Sequence, residues 1–454
     1  MPETPRNFGL LSTQEKQELL KQALKRRGGE SLPGPAIAAP EAASNPAREP
    51  DESTWQVEKF PAYQQLLVHR AAAVHMGVDN PFFTLHEGKV GATTVVDGRE
   101  ILNFSNYNYL GLNDDPRVLA AAKAALDRYG VSAAASRIVS GERPVHRELE
   151  QALADLHGTE DAVVFVSGVS TNVTTIGSLM GSKDLILHDR LIHNSAVQGA
   201  LLSGATRIPY PHNDMAALRQ ILDARRMHYE KVLIIAEGVY SMDGDICPLD
   251  ELVEIRRRYR TLLLVDEAHS IGALGARGRG IGEHFGISGP AVDLWMGTLS
   301  KTLSGCGGYI AGSKAMVELL KCTAPGFVYS FGMAPALAAA SRAALNCMLA
   351  EPERVEALRA NGRLFLDLAK QHGLDVGLSQ GLNIVPIITG RSVTAARLAN
   401  ALFARGVNAN PIIYPAVEER AARLRFFLSS THSAEQIREA VSITAEELRR
   451  VSAA

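Results

Sequence analysis

The segment LLLVDEAH, residues 262–269, is the stretch that decides the fold of this chain. Four consecutive apolar residues predict a buried strand, and an acidic residue, Asp266, follows directly at its C-terminal end. Similar apolar runs alternate with amphipathic helical stretches along the chain. This alternation predicts an α/β fold in which helices cover both faces of a mostly parallel central sheet. The strands predicted in this way include 162–166, 231–236 and 261–265, and the helices include 117–129, 146–157 and 215–226.

A second series of elements begins near residue 351 and predicts a smaller C-terminal α+β domain. Its predicted helices are 354–372, 393–405 and 433–450, and its predicted strands are 383–388 and 424–428. We therefore expect four parts. Residues 1–55 form an N-terminal helix and a flexible Pro/Ala-rich tether, 56–110 an N-terminal segment, 111–350 the large domain and 351–454 the small domain.

The composition of the 454-residue chain argues against several classes of protein. Hydrophobic residues make up 46% and charged residues 21%, which is typical of a globular protein. A net charge of −2 provides no strong field that attracts nucleic acid or an anionic membrane. The four cysteines form no CxxC pair, so we expect neither a disulfide framework nor a metal site. We find no signal peptide and no apolar run that predicts a membrane span, and we expect a cytoplasmic protein.

The chemistry of the chain is concentrated in three segments. The carboxylate of Asp266 lies where open α/β sheets bind ligands, and it can keep a pyridinium nitrogen protonated. His269 is close enough in sequence to reach a hydroxyl on the same ring. The segment GTLSKTLSGCGG, residues 297–308, places Lys301 among hydroxyl groups and glycines. Its amine can bind an aldehyde cofactor covalently, and Thr298 and Ser300 can donate hydrogen bonds to a phosphate.

The third segment, FVSGVSTN, spans residues 165–172 and predicts a strand, a Ser/Gly turn and a helix. Free backbone N–H groups at the start of such a helix form a phosphate cradle. His193, in HDRLIHNS, is placed to stack on a cofactor ring. Each segment alone is weak evidence, because a lone lysine is usually a solvated surface residue and a lone histidine is usually structural. Their order and spacing together predict a pyridoxal-phosphate (PLP) enzyme.

A competing interpretation comes from the helicases, whose DEAH box is spelled by residues 266–269. A helicase also needs the phosphate loop GxxxxGK[ST], and Ser300 stands where this motif requires glycine. The lysine segment also follows the acidic segment, whereas helicases have the reverse order. We therefore favour the PLP enzyme.

The chain resembles the α-oxoamine synthases, a family of fold-type-I PLP enzymes, from about residue 82 to residue 450. The likeness is carried by NFSNYNYLG at 103–111, SRIVSG at 136–141, EGVYSMDGD at 237–245, VDEAHSIGALG and GTLSKTLSGCGGY. The segments SNYNYLGL, SRIVSGERPVHRELE and HDRLIHNS are most similar to bacterial serine palmitoyltransferases.

The resemblance implies a role for each site residue. Lys301 would bind the cofactor covalently and then act as the general base. Asp266 would pair with the ring nitrogen, His269 with the ring hydroxyl, and His193 would stack on the ring. Further contacts to the cofactor would come from Gly168, Val169, Ser241, Thr298 and Ser300, and contacts to the substrate from Arg425, Tyr107 and Ser136. Val169 departs from the pattern, since several relatives carry a larger or aromatic side chain there.

The family's reaction is a decarboxylating condensation of a small amino acid with an acyl thioester, which gives an α-aminoketone and CO2. Ser136 stands where the glycine-specific synthase has threonine, and this smaller group should admit a side chain beyond that of glycine. We expect serine first, because of the likeness to the palmitoyltransferases, and alanine second. The alternatives are glycine as substrate, an aminotransferase of the same fold, and a catalytically idle partner subunit. The idle subunit would be expected to lack the lysine, and Lys301 is present.

Two features of the sequence concern the partners of the chain. Residues 10–27 predict an amphipathic helix with a capping box at Ser12 and Glu15, followed by the tether. This arrangement loosely resembles segments that follow carrier proteins in polyketide synthases, so the acyl donor is expected on a carrier protein. The alternative is an inert tail and acyl-CoA as donor. The fold type and the segment YSFG at 329–332 imply a homodimer.

Overall fold

Thirteen strands and fourteen α-helices lie within residues 50–453, the part of the chain that the computed structural model describes. The strands are β1 (Thr93–Val96), β2 (Arg99–Asn103), β3 (Asp161–Phe165), β4 (Leu185–Asp189), β5 (Thr206–Tyr210), β6 (Val232–Glu237), β7 (Leu262–Asp266), β8 (Leu294–Thr298), β9 (Gly308–Gly312), β10 (Ile384–Ile388), β11 (Val407–Asn408), β12 (Asn410–Ile412) and β13 (Arg423–Phe427). The helices are α1 (Pro61–His75), α2 (Pro116–Tyr129), α3 (Pro144–His157), α4 (Gly168–Leu179), α5 (Asn194–Ser203), α6 (Met215–Arg225), α7 (Leu249–Tyr259), α8 (Ile281–Phe285), α9 (Lys314–Thr323), α10 (Pro325–Val328), α11 (Pro335–Ala350), α12 (Pro352–Gln371), α13 (Ser392–Ala404) and α14 (Ala434–Ala453).

The central sheet has seven strands in the order β3-β9-β8-β7-β6-β4-β5. Strand β9 runs antiparallel to both of its neighbours, and every other neighbouring pair is parallel. The predicted α/β fold with a mostly parallel central sheet is therefore confirmed. Parallel strands end at a common edge, which brings Glu237, Asp266 and Thr298 to neighbouring positions.

Burial on both faces explains why the central strands read as continuous apolar runs. Every residue of β6 is buried. Val232, Ile234 and Ala236 pack into the hydrophobic cluster on one face, whereas Leu233 and Ile235 pack into the cluster on the other. Successive side chains of a strand point to opposite faces, so both faces of this sheet are core.

Two three-stranded sheets complete the strand pairing. Strands β1, β2 and β11 form one, and β10, β13 and β12 form the other. Strand β13 lies in the middle of its sheet, with Arg425 opposite Pro386 on one side and Asn410 on the other. The predicted division of the chain at residues 55, 110 and 350 stays a prediction.

The ends of several helices differ from those predicted, and proline gives the reason. Helices α2, α3 and α12 start at Pro116, Pro144 and Pro352, one or two residues earlier than expected. Proline suits the first turn of a helix, where its missing N–H group would have no partner. Periodicity alone does not detect these first turns.

The density of contacts divides the chain after Ala71. In the first unit, described from residue 50, short 3₁₀ turns span Glu52–Thr54 and Val57–Lys59. The predicted amphipathic helix at 10–27 lies outside the described residues. Between residues 50 and 453, no helix combines the length and apolar character that a membrane crossing requires.

Candidate active site

A cavity of about 360 Å³ lies at the carboxyl ends of β6, β7 and β8. Eleven of the twelve site residues predicted from the sequence line it: Tyr107, Gly168, Val169, His193, Ser241, Asp266, His269, Thr298, Ser300, Lys301 and Arg425. The remaining lining residues include Asn172, Ser195, Glu237 and Met242, which the sequence analysis did not assign. The predicted residues come from seven separate segments of sequence, and the fold brings them to one place.

Ser136 is the predicted residue that does not line this cavity. It forms an isolated antiparallel bridge with Phe331, immediately before a π-helical turn, Arg137–Gly141. The neighbouring side chains Val139 and Phe331 are 77% and 70% exposed. Within its own chain, Ser136 therefore belongs to an exposed apolar surface.

Lys301 lies at the centre of the cavity's polar groups. Its Nζ atom is 2.9 Å from Nε2 of His269. Burial lowers the pKa of Lys301 to about 8, against the opposing effect of the carboxyl groups of Asp266 and Glu237. A lysine with this pKa is partly unprotonated near neutral pH, and the unprotonated amine is the form that acts as a nucleophile or base.

His269 is held from its other side by Tyr109, whose hydroxyl oxygen is 2.7 Å from Nδ1. Burial and the nearby charge of Lys301 lower the pKa of His269 well below its usual value, so the ring is neutral. Burial also disfavours the charged form of Tyr109, and it therefore raises the pKa of this hydroxyl well above its usual value. Tyr109 is a contact that the sequence analysis missed, although it stands two residues after Tyr107 in the quoted motif.

Asp266 is connected to His193 through two intervening side chains. The Nδ2 atom of Asn172 donates to Oδ2 of Asp266 and to Oγ of Ser195, each at 2.9 Å. Oγ of Ser195 is in turn 2.8 Å from Nδ1 of His193. The second carboxylate oxygen of Asp266 accepts from the backbone N–H of Ala268 at 3.0 Å. The carboxylate is thus fixed in orientation while it lines the cavity.

Glu237 is a second buried carboxyl group in the cavity, and sequence reasoning did not single it out. Its two oxygens accept from the backbone N–H groups of His193 at 2.6 Å and of Ser241 at 3.1 Å. Burial, followed by the charge of Asp266, raises the pKa of Glu237 to about 8, although these two hydrogen bonds oppose the change. The signal was available in the sequence, because Glu237 ends an apolar strand just as Asp266 does.

The turn at the start of α4 has the features of a phosphate cradle. Ser167 caps the helix, and its side chain accepts from the N–H of Ser170 at 3.4 Å. The first N–H groups of a helix have no partner within it, so they can bind an anion. A Cβ atom on Gly168 would lie only 2.9 Å from Oγ1 of Thr298, so this approach requires glycine. The Thr298 hydroxyl donates to the carbonyl oxygen of Gly307 at 3.0 Å. These residues fit a phosphate group.

The guanidinium group of Arg425 lines this cavity, and no acidic side chain in the described part of the chain pairs with it. Its Nη1 atom donates to the carbonyl oxygen of Ser241 at 2.8 Å. Its Nε atom is buried and has no hydrogen-bond partner among residues 50–453. Two residues earlier on the same strand, Arg423 pairs with Asp243 at 2.8 Å. Arg425 is therefore the arginine of this strand that remains available for a ligand carboxylate.

One aromatic side chain, Tyr107, and one aliphatic side chain, Val169, complete the wall of the cavity. The Tyr107 ring lies edge-on to Phe427 with centroids 4.8 Å apart, and the Nζ atom of Lys301 lies 5.7 Å from the Tyr107 centroid. Val169 lines the cavity and is 54% exposed. A valine cannot stack as an aromatic ring does, so the stacking expected of His193 has no competitor at position 169. That stacking role stays a prediction.

A lysine with a lowered pKa, a fixed carboxylate beside it and a helix start suited to phosphate define the class of PLP enzymes with fold type I. Comparison with known proteins agrees. A family model described as aminotransferase class I and II matches residues 99–443. A variant of the serine palmitoyltransferase of S. paucimobilis, solved with a bound PLP–myriocin aldimine, superposes with a TM-score of 0.81 at 29% identity. The match covers 87% of this chain and 99% of that one.

Sequence relatives narrow the class. The 8-amino-7-oxononanoate synthase of Geobacter sulfurreducens is 41% identical over 362 residues, which cover 79% of this chain and 91% of the relative. The corresponding enzyme of Coprothermobacter proteolyticus is 40% identical over 347 residues, covering 76% and 88%. The chain belongs to the α-oxoamine synthases, a family of PLP-dependent acyltransferases, and PLP is its cofactor.

Proposed function

We propose that this enzyme condenses a small L-amino acid, serine first and alanine second, with an acyl thioester to give an α-aminoketone and CO2. The observation that carries the proposal is the placement of Lys301 beside His269 and Asp266 in one cavity with the unpaired guanidinium of Arg425. Lys301 would hold the cofactor covalently until the amino acid takes its place and frees the amine, and the start of α4 would bind the phosphate of the cofactor.

Arg425 orients the amino acid. A guanidinium binds a carboxylate through two parallel hydrogen bonds, and the free Nε of Arg425 is one donor for such a pair. The bond from Nη1 to Ser241 fixes the plane of the group. Holding the carboxylate in one place leaves the Cα–H bond facing the amine of Lys301.

Lys301 then moves the Cα proton. Its pKa of about 8 suits a base that works near neutral pH. When bound, PLP supplies an electron sink for the pair of electrons released at Cα, provided that its ring nitrogen is protonated. Asp266 would keep that nitrogen protonated, and the neutral ring of His269 would offer a hydrogen bond to the ring hydroxyl.

The acyl thioester reacts with the activated Cα. A bond forms between Cα and the thioester carbonyl carbon, the C–S bond breaks, and the sulfur leaves with that electron pair as a thiolate. The bond from Cα to the carboxyl carbon then breaks, CO2 departs, and a proton returned by Lys301 completes the α-aminoketone. His193 lines the same cavity and is placed to donate a hydrogen bond to the carboxylate of the amino acid or to the incoming carbonyl.

The identity of the amino acid rests on two kinds of likeness that differ. The relatives that are 38–41% identical are named 8-amino-7-oxononanoate synthases, whereas the serine palmitoyltransferase structures are 29% identical. In an 8-amino-7-oxononanoate, one carbon follows the carbon that bears the amine. That single carbon corresponds to the methyl side chain of alanine. We keep serine as the first proposed substrate because the motifs SNYNYLGL, SRIVSGERPVHRELE and HDRLIHNS are most similar to those of serine palmitoyltransferases. Alanine is the second proposed substrate.

The acyl donor is proposed to be a long-chain or polyketide acyl group on a carrier protein, with acyl-CoA as the alternative. The support is the sequence of residues 10–27 and the tether that follows. Deletion of residues 1–55 is expected to slow turnover with acyl-carrier protein and to leave turnover with acyl-CoA unchanged. An equal effect on both donors would remove the docking proposal.

We further propose that two copies of the chain assemble. The support is the exposed apolar surface formed by Ser136, Val139, Tyr329 and Phe331, in which Tyr329 is 87% exposed. In a homodimer this surface would be covered, and Ser136 would then act at a neighbouring cavity. Light scattering on the purified protein measures the oligomeric state, and a monomer at working concentration would contradict the proposal.

One experiment tests the proposed reaction most directly. The purified enzyme is incubated with serine, alanine or glycine and a panel of acyl thioesters, and the products are analysed by mass. We expect an α-aminoketone together with free thiol and one CO2, and serine as the best substrate. A product only with glycine would overturn the proposed amino acid. Amino-group transfer to a keto acid without CO2 would identify an aminotransferase.

A further inference from the structure

Asn172 occupies a position between the two sides of the cavity. It lies on α4, one turn after Gly168, and only 1% of its surface is exposed. Its amide nitrogen carries two hydrogens, and each of them has an acceptor at 2.9 Å, one on Asp266 and one on Ser195. An amide turned the other way would place its oxygen against the carboxylate of Asp266. Both hydrogens of the amide are therefore committed.

The backbone N–H of Ser195 determines the protonation of His193. This N–H can only donate, and it donates to Nδ1 of His193 at 3.2 Å. Nδ1 therefore carries no proton. Burial lowers the pKa of His193, which favours the neutral ring, so the single proton resides on Nε2.

The hydroxyl of Ser195 completes the chain of hydrogen bonds. Its oxygen accepts from Asn172, and its own hydrogen points to Nδ1 of His193 at 2.8 Å. The direction of every donor is thus fixed, from the amide through the hydroxyl to the imidazole. Among residues 50–453, no hydrogen-bond acceptor faces Nε2 of His193, and this nitrogen is left to donate within the cavity.

We propose that Asn172 and Ser195 are positioning residues: Asn172 orients the carboxylate of Asp266 toward the cofactor ring, and Ser195 holds His193 in the tautomer that donates from Nε2. This inference rests on the proposed function for the role of that donated hydrogen bond. The hydrogen bond from Asn172 to Asp266 is called the Asp266 arm, and the hydrogen bonds through Ser195 to His193 are called the His193 arm. The Asp266 arm concerns cofactor binding alone. The two arms therefore make separate predictions.

The test compares three variants that differ in which arm they break. Asn172→Leu removes both donors, and Ser195→Ala removes only the hydroxyl bridge to His193. Thr175→Val is the matched control, because Thr175 is equally buried on the same helix and its hydroxyl has no partner in the described part of the chain. The melting temperature of each apoprotein shows whether the variant folds.

Two readouts separate the arms. Absorbance titration of the apoprotein with PLP gives the cofactor Kd, and exchange of the amino-acid α-proton in D2O gives a rate that needs no acyl donor. Asn172→Leu is expected to raise the PLP Kd about tenfold. Ser195→Ala is expected to keep the wild-type Kd and to slow exchange about threefold. Thr175→Val is expected to match wild type in both.

A second background shows whether Ser195 acts through His193. In a His193→Phe protein, which keeps an aromatic face without nitrogen, adding Ser195→Ala is expected to slow exchange no further. An undiminished additional loss would overturn the His193 arm, and a PLP Kd for Asn172→Leu equal to that of Thr175→Val would overturn the Asp266 arm. Wild-type enzyme that exchanges no amino acid would instead reject the proposed function, while the PLP titration would still judge Asn172.

Discussion

Glu237 and Asp266 end neighbouring parallel strands in register, so that two buried carboxyl-bearing side chains line one cavity. They differ in their environment. Asp266 accepts a hydrogen bond from the side chain of Asn172, whereas Glu237 accepts only from backbone N–H groups. Burial and the neighbouring charge raise the pKa of Glu237 to about 8. The carboxyl group of Glu237 is therefore largely protonated near neutral pH.

The raised pKa of Glu237 predicts a pH dependence of stability. Between its unfolded pKa near 4.5 and its folded pKa of about 8, the folded apoprotein binds one more proton at this site than the unfolded chain. Stability is therefore lost as the pH rises through that window, by up to about 1.4 kcal/mol per pH unit. Glu237→Gln removes this contribution, so its unfolding free energy should fall less steeply from pH 5 to pH 8. Parallel slopes for the two proteins would show that Glu237 is ionised when folded.

Replacement of Lys301 tests the centre of the site. Lys301→Ala is expected to lower turnover at least about 100-fold, because a positioned general base is lost. Borohydride treatment followed by peptide mass analysis should find the pyridoxyl group on Lys301 in wild type and nowhere on the variant. Lys314→Ala, which removes a solvated lysine on α9, is the control. Normal turnover by Lys301→Ala would refute the assignment.

Arg425→Lys tests the carboxylate-binding group. A lysine keeps the charge but cannot form two parallel hydrogen bonds, so the KM for the amino acid should rise about tenfold. The Kd for PLP should stay unchanged. Arg423→Lys is the matched control on the same strand, because lysine can still pair with Asp243. Equal KM values for the two variants would show that Arg425 does not contact the substrate.

Gly168→Ala tests the phosphate cradle. The added methyl group would meet Oγ1 of Thr298 at 2.9 Å and displace it from Gly307, which predicts a PLP Kd about tenfold higher. Gly181→Ala is the control, since a Cβ there meets its nearest atom at 3.8 Å. Unchanged affinity for PLP in Gly168→Ala would place the phosphate elsewhere.

Local patterns in the sequence were sufficient to predict the sheet, and together with the family resemblance they predicted most of the cavity. Asp266 follows an apolar strand, and Lys301 stands in a loop of small residues, so each could be recognised where it stood. Asn172 and Ser195 could not be recognised in this way. They act through hydrogen bonds between elements that are 23 and 94 residues apart in sequence. Ser136 was assigned to the substrate by likeness, and only the folded chain shows that it lies outside its own cavity.

The spacing of two residues on helix α4 also constrains how this sequence can change during evolution. The phosphate cradle begins at Gly168, and the link to Asp266 follows at Asn172, about 6 Å further along the helix axis. Insertion or deletion of one residue between them would rotate Asn172 by about 100° away from the carboxylate. A substitution at one of the intervening residues leaves this spacing intact, whereas a change in the length of the turn does not. Length changes should therefore be confined to surface loops, and the spacing from Gly168 to Asn172 should be constant wherever both residues are kept.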